Sequence, residues 1–308
     1  MRPHSAAMKT IELAAFGAPG VLNVVEAKEP HAGPGQVRVR VRAIGVNPYD
    51  AKVRAGLMES SFSTKLPTVL GAEIAGIVDE VGEGVAYLAV GDEVFGWSDS
   101  GAYAELAIGT ELARKPASLS WPIAASLPVA GETATRVLDL LELDRGETLL
   151  VHGGSGAVGS MAVQLAVLRG AKVIATGSGS SQDYLASLGA TPVVYGKGLV
   201  TRIRETRMLP IDAVFDVSGK GALADSVELR GGKTRIVTIA DPAAFNLGIP
   251  FSSEAKRSVA LLEHLGALAS SGQLQISVAA TLSLERAADA HVLIEDGHTR
   301  GKVVLTVD

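Results

Sequence analysis

No cysteine occurs anywhere in the 308 residues. Disulfides, cysteine-ligated zinc, iron–sulfur clusters and thiol nucleophiles are therefore excluded outright. Long apolar runs are missing too: no stretch reaches the roughly 18 residues that span a bilayer, and Met1 to Met8 lacks the continuous apolar core of a secretory signal. A soluble cytoplasmic protein with no membrane partner is the expectation, with the first seven residues disordered and Met8 as an alternative start. The six histidines are scattered without an H-E-x-x-H or an i,i+4 pair, so no metal site is expected. A net charge of −5 supplies no field that would gather nucleic acid or anionic lipid. Arg38, Arg40 and Arg42 form a local basic stripe, but they alternate with Val37, Val39 and Val41. That period of two marks the solvent face of a half-buried strand.

Hydrophobic residues make up 47% of the chain and charged residues 20%, values that suit a globular protein, and the 35 glycines imply many tight turns. The length exceeds a usual single core of about 100–200 residues, so two domains are expected. From Lys9 to Lys115, short strands alternate with Gly and Pro: Thr10–Ala15, Gln36–Ala43, Glu73–Val81, Glu93–Trp97 and Gly101–Ile108. This density of turns predicts a β-rich, barrel-like unit. A helix over Ala124–Asp139 changes the rhythm. Strands then alternate with helices (Leu149–His152, Val173–Thr176, Val193–Tyr195, Asp212–Asp216, Thr234–Ile239), which predicts a doubly wound α/β parallel sheet. Ser253–Ser271 reads as a further helix, and Gln275–Ala280 and Lys302–Val307 as strands returning to the first unit.

The most informative segment is Thr148–Ser160. An apolar strand runs into Gly154, Gly156 and Gly159 at the G-x-G-x-x-G spacing, followed by a small-residue helix over Met161–Arg169, Gly170 and a second strand over Lys172–Thr176. In such a loop the first glycine permits the tight turn, the second lets backbone approach a pyrophosphate, and the third lets helix and strand pack closely. Ser155, Ala157 and Val158 complete this loop as cofactor contacts. Ser155 is no nucleophile elbow, because Ala157 stands where G-x-S-x-G needs its last glycine. His152 either abuts the phosphate loop or is a satisfied strand-end histidine.

Gly45-Val-Asn-Pro-Tyr-Asp50 with Arg54-Ala-Gly56, Leu70-Gly-Ala-Glu-Ile-Ala-Gly76 with Val81-Gly82, Gly91-Asp-Glu-Val-Phe-Gly96, the glycine loop and Gly301-Lys-Val-Val-Leu305 together resemble the medium-chain dehydrogenase/reductase superfamily. Within it, the chain is most similar to the zinc-independent quinone oxidoreductases of the zeta-crystallin type. The resemblance implies a GroES-like catalytic domain built from residues 1–119 and 254–308, a Rossmann dinucleotide-binding domain at 120–253, an active site where they meet, and a homodimer. The zinc-dependent branch carries a ligating Cys and His where this chain has Asn47 and Ala72, and its four-cysteine lobe has no counterpart. Without a Lewis acid, alcohol oxidation is difficult. A small electrophilic substrate, a quinone or α,β-unsaturated carbonyl, needs mainly positioning against a nicotinamide.

By the same resemblance, Asn47 faces nicotinamide and substrate; an Asx turn without substrate contact is the lesser alternative. Asp50 is a candidate catalytic acid, or a cap or a partner of Arg54 at i+4. Tyr49 lies near a proton-relay position and is either a proton donor or a packing residue. Thr133, in Val-Ala-Gly-Glu-Thr, is assigned to the nicotinamide side of the cofactor. The stretch Gly177–Ser181 has no acid to meet a ribose 2′-hydroxyl, so Ser178, Ser180 and Ser181 would accept a 2′-phosphate, and NADPH is the expected cofactor. Asp183 is read as a first-turn helix residue. Tyr195, Ile239 and Lys302 complete the cofactor set. Two rivals share this architecture: a trans-2-enoyl-thioester reductase, and a non-catalytic NADPH-binding sensor.

Overall fold

The computed structural model describes residues 7–308. The expected disordered start falls on residues 1–6, outside the described part; Ala7 itself opens a strand and pairs with Lys28. The chain forms two compact units, one of residues 1–129 with 257–308 and one of 130–256. The first boundary lies ten residues beyond the expected 119, because the short helix before it packs on strands of the first unit.

Unit one starts with β1 (Ala7–Leu13), β2 (Leu22–Lys28), β3 (Val37–Val46), α1 (Pro48–Arg54), β4 (Thr68–Val69), β5 (Glu73–Val81), β6 (Glu93–Trp97), β7 (Leu106–Gly109), β8 (Leu112–Arg114) and α2 (Trp121–Ala125). After α3 (Pro128–Leu140), unit two runs through β9 (Thr148–His152), α4 (Ala157–Leu168), β10 (Lys172–Gly177), α5 (Gln182–Ser187), β11 (Thr191–Val194), α6 (Leu199–Glu205), β12 (Ala213–Asp216), α7 (Leu223–Arg230), β13 (Ile236–Thr238) and α8 (Ala243–Leu247). The chain then returns to unit one with α9 (Val259–Ser270), β14 (Val278–Ser283), α10 (Ala287–Glu295) and β15 (Lys302–Thr306).

Unit one is built on a sheet of order β14-β15-β3-β5-β6-β8, with β7 also on β3, beside a small sheet β2-β1-β4. The Arg/Val alternation of β3 is resolved as expected: Val37, Val39 and Val41 are buried in the core, while Arg38 turns outward to Asp79 at 2.9 Å. Unit two holds a five-stranded parallel sheet of order β11-β10-β9-β12-β13, whose strands carry the near-continuous apolar runs of a sheet covered on both faces. Among the described residues no helix is long and apolar enough to cross a membrane.

Several element boundaries differ from expectation for local reasons. The helix expected over Ala124–Asp139 is two helices, because Pro128 starts α3 and disfavours helical backbone at Leu127. The helix expected from Ser253 starts at Val259, where the Ser258 hydroxyl caps by accepting the Leu261 N–H at 3.3 Å. The strand expected from Gly101 begins only at Leu106. Gly101 adopts φ +84°, and a Cβ there would meet the Val69 carbonyl at 2.5 Å, so the chain turns rather than extends.

Candidate active site

In unit two, β9 ends at His152 and the chain enters the glycine loop. The residue in left-handed conformation is Gly153, φ +80°, and not Gly154 as the motif's usual roles suggest. Gly154 is glycine for a different reason: a Cβ there would stand 2.8 Å from Ala175 Cβ and 3.0 Å from Leu185. Gly159 keeps α4 close to the loop, since a Cβ there would collide with the Gly153 carbonyl and lie 2.8 Å from Gly154 Cα. Gly156 is unlike both. Chain neighbours aside, the nearest atom to its missing Cβ is the Gly153 carbonyl oxygen at 3.9 Å, so the protein's own packing does not require a glycine there. Gly156 is the N-cap of α4, and Ala157 and Val158 open the first turn of that twelve-residue helix. The open cradle at Gly156 therefore lies where the helix's unpaired N–H groups favour an anion, and it fits the pyrophosphate of a dinucleotide. Ser155 sits half-buried in the same loop.

His152 is fully buried beside this loop, with Nε2 3.0 Å from Ser226 Oγ. Burial pushes its pKa down to about 4, so it is a neutral, satisfied histidine at neutral pH.

Beyond β10, the hydroxyl of Ser178 lies 3.0 Å from that of Ser180 and 2.8 Å from that of Ser181. Asp183 falls in the first turn of α5, as expected. The Tyr195 N–H donates to the Gly177 carbonyl at 3.2 Å, which sets Tyr195 next to this serine cluster. Arg202 fixes the turn after β11 by donating to the carbonyls of Val194, Tyr195, Gly196 and Lys197 at 2.8–3.3 Å. Lys220 stands over the Tyr195 ring with its ammonium 5.7 Å from the centroid. Its loop is anchored by Asp216, which accepts from the Ser218 and Gly219 N–H groups at 3.1 Å each. Lys220 is not legible from the sequence around β10, because it comes from the loop after β12, which the parallel sheet order returns to the same end. Ile239, just beyond β13, is half-buried and donates its N–H to the Asp216 carbonyl at 3.1 Å.

In unit one, strand register assembles a second cluster. Val303 pairs with Val46 and Ile44 with Ile74, so Lys302, Asn47 and Glu73 converge at one sheet end. Glu73 and Lys302 are 0% and 2% exposed and form a buried ion pair. The Asn47 amide donates to Glu73 Oε1 at 2.8 Å, and its carbonyl accepts from Lys302 Nζ at 2.6 Å. Glu73 Oε2 accepts the Val129 N–H at 2.8 Å. Lys302, expected among the cofactor contacts, thus has its ammonium shared between Glu73 and Asn47. Glu73 was missed because its partners are remote in sequence; the signal was an acid opening β5 directly before the apolar run Ile74–Val78.

Asp50 caps α1 by accepting the Asn47 backbone N–H at 2.8 Å. It does not pair with Arg54, whose guanidinium turns to Glu295 of α10 at 3.2 Å. The Tyr103 hydroxyl lies 3.2 Å from Asp50 Oδ2 and 3.0 Å from His291 Nε2. Burial raises the Asp50 carboxyl to about 7, against the opposing pull of the Asn47 N–H and of Lys302. Tyr103 is pushed well above its usual value, again chiefly by burial. Tyr49, by contrast, is 49% exposed and stacks on Phe62 at 6.1 Å. Partial burial, and then the neighbouring Asp50, raise its pKa, which keeps the phenol protonated at neutral pH. Thr133 lies half-buried in the second turn of α3. Among the described residues no three His, Asp or Glu side chains gather as a metal-holding group.

Comparison with known proteins places these features in context. Residues 33–115 match the family model of the alcohol dehydrogenase GroES-like domain, and residues 188–305 match that of zinc-binding dehydrogenases. The chain is 34% identical to the chloroplastic NADPH-dependent alkenal/one oxidoreductase of Arabidopsis thaliana over 90% of its own length and 73% of that protein. It is 31% identical to a quinone oxidoreductase of Pseudomonas aeruginosa over 96% of its length and 99% of that protein. The solved quinone oxidoreductase of Coxiella burnetii superposes with a TM-score of 0.89 at 32% identity, over 98% of this chain and all of that one.

Proposed function

The chain belongs to the medium-chain dehydrogenase/reductase superfamily, among its quinone oxidoreductase-like members, and on that premise we propose that it is an NADPH-dependent, zinc-independent reductase of quinones or conjugated enones. Its relatives support an oxidoreductase of the quinone and enone type. The observation that carries the cofactor reading is the open cradle at Gly156, bounded by two glycines that internal packing demands. NADPH, when bound, supplies the hydride. The Ala157 and Val158 end of α4 would hold the pyrophosphate. At the acid-free end of β10, Ser178, Ser180, Ser181 and Lys220 would meet the 2′-phosphate, with Tyr195 beside them. A carboxylate at that position would repel the phosphate, and none stands there.

Zinc independence rests on the side chains at the ligand positions. Asn47 is held by Glu73 and Lys302, Ala72 has no ligating atom, and no cysteine exists in the chain. Asn47 would orient the acceptor, and Tyr49, protonated and half-exposed, would return a proton to the reduced product. A homodimer is part of the same reading.

The experiment is a steady-state panel on chelator-treated protein: quinones, enones and enoyl thioesters with either NADPH or NADH, and simple alcohols with NADP+ or NAD+. Turnover of quinones or enones with NADPH, unchanged by chelation, supports the proposal. Preference for enoyl thioesters, dependence on zinc, or tight NADPH binding without turnover would replace it. Lys220→Ala should weaken binding of 2′,5′-ADP by about tenfold and leave 5′-AMP unaffected, the loss expected of one charge-assisted contact.

A further inference from the structure

We propose that Glu73 and Lys302 are positioning residues that lock the Asn47 carboxamide in one orientation and leave it a single unused N–H, so that this site selects an acceptor oxygen on its ligand. The inference rests on the reading of Asn47 given under Proposed function and extends it to the two charges behind it.

A carboxamide is nearly symmetric in shape, and its two ends are set only by what they meet. Here the two neighbours have opposite and fixed requirements. The Lys302 ammonium has only donors and faces Asn47 Oδ1 at 2.6 Å; the Glu73 carboxylate faces Asn47 Nδ2 at 2.8 Å. Rotating the amide by half a turn would press N–H bonds against the ammonium and the carbonyl against the carboxylate, two repulsive contacts in place of two charge-assisted hydrogen bonds. The amide nitrogen carries two hydrogens, and Glu73 takes one. What the nitrogen still offers a ligand is one donor, which matches the carbonyl oxygen of a quinone or enone.

The surroundings are arranged around this lock. Glu73 Oε2 is occupied by the Val129 N–H, so the carboxylate cannot swing away, and α3 begins one residue before that contact. Residue 45 is glycine, and a side chain there would overlap the Glu73 carboxylate and approach the Ala125 carbonyl to 2.7 Å. A buried ion pair is weak evidence of stability, because well-packed apolar residues often serve as well or better. Its distinctive property is that it distinguishes the two ends of an amide.

The test is Glu73→Gln combined with Lys302→Met, which removes both charges together and leaves no unpaired one. A glutamine whose oxygen still accepts from Val129 turns its NH2, a donor, toward Asn47 where the parent has an acceptor, so the fold is retained and the lock is lost. We expect NADPH binding within about twofold of the parent, kcat/KM lowered roughly tenfold with the loss in kcat, and exchange of the Asn47 side-chain amide protons accelerated by about tenfold in the cofactor-free protein. Lys302→Arg, which keeps a cation against Oδ1, should recover most of the activity lost in Lys302→Met. Because the pair acts through Asn47, the same two substitutions in an Asn47→Ala background should cost nothing further. Full activity of the double variant, an equal loss in the Asn47→Ala background, or unchanged amide exchange would each overturn the lock. Should the double variant not fold, Glu73→Gln with Lys302→Gln carries the same expectations. If Asn47→Ala is itself fully active, the catalytic reading of Asn47 fails, and the exchange measurement still decides the lock.

Discussion

Glu73 reaches the backbone of β3 only because its neighbour there, Gly45, has no side chain; a Cβ at 45 would occupy the carboxylate's position. The glycine on one strand and the buried acid on the next are a matched pair, set by the register that puts Ile44 against Ile74.

Gly45→Ala should accordingly displace Glu73, and with it the Asn47 and Lys302 contacts. Its backbone is extended, so the cost is overlap rather than strain, about 1–3 kcal/mol of stability by analogy with overpacked cores. Denaturant unfolding and kcat measured on the same preparation should both fall. A stable variant with parental kcat would show that the carboxylate is not held where the structure puts it.

The glycines of the phosphate loop separate fold from binding. Gly156→Ala adds a methyl group that meets nothing beyond its chain neighbours closer than 3.9 Å, so Tm should fall only by the small cost of alanine at an N-cap while NADPH affinity drops by an order of magnitude or more. Gly159→Ala drives its Cβ against Gly153 and Gly154 and should lower Tm as well as binding. Differential scanning fluorimetry with and without NADPH reads both. Parental NADPH affinity in Gly156→Ala would remove the pyrophosphate from this cradle.

Tyr49→Phe removes a half-exposed, protonated phenol and keeps its stacking on Phe62. As the proton donor it should be worth about tenfold in kcat, a small value for an acid catalyst because water can reach the same position. The alkaline limb of the pH–rate profile should also disappear. A profile identical to the parent would return Tyr49 to packing.

Stability should respond to pH through three buried groups of opposite sense. His152 and His291 are both depressed to about 4, His152 by burial and His291 by burial and the Arg54 charge. Between that value and the ordinary 6.5, unfolding takes up a proton at each, so stability is lost as pH falls through this window. Asp50, raised to about 7 by burial, releases a proton on unfolding over the same range, so its contribution is lost as pH rises. Two uptakes against one release leave a net loss of about 1.4 kcal/mol per pH unit on acidification from these three groups. Asp50→Asn removes the opposing contribution and should roughly double that slope between about pH 5 and 6.5. Urea unfolding across that range measures it; an unchanged or shallower slope in Asp50→Asn would contradict the assignment.

Sequence alone conveyed the local patterns well. The apolar strand before Gly154, the small-residue helix after it and the Arg38/Val39 alternation depend on neighbours a few residues away, and periodicity reports those directly. Strand β2 escaped notice because it is mostly exposed and carries no apolar period. The left-handed turn at Gly153 was assigned one residue late, since spacing locates a glycine loop but not its dihedral angles. Least legible were the partners of charged residues. Arg54 meets Glu295, and Lys302 meets Glu73 and Asn47, across separations of more than two hundred residues. The closing of β15 onto β3 and the packing of α10 on α1 bring those groups together.

Conjugate reduction by hydride from NADPH is decided by following an isotope. With NADPH deuterated at C4 and a simple α,β-unsaturated ketone, the expected product is a saturated ketone with one deuterium at the β-carbon and a solvent-derived proton at the α-carbon, with the same outcome after chelation. Deuterium at the carbonyl carbon of an allylic alcohol, or no transfer to any quinone or enone, would contradict it.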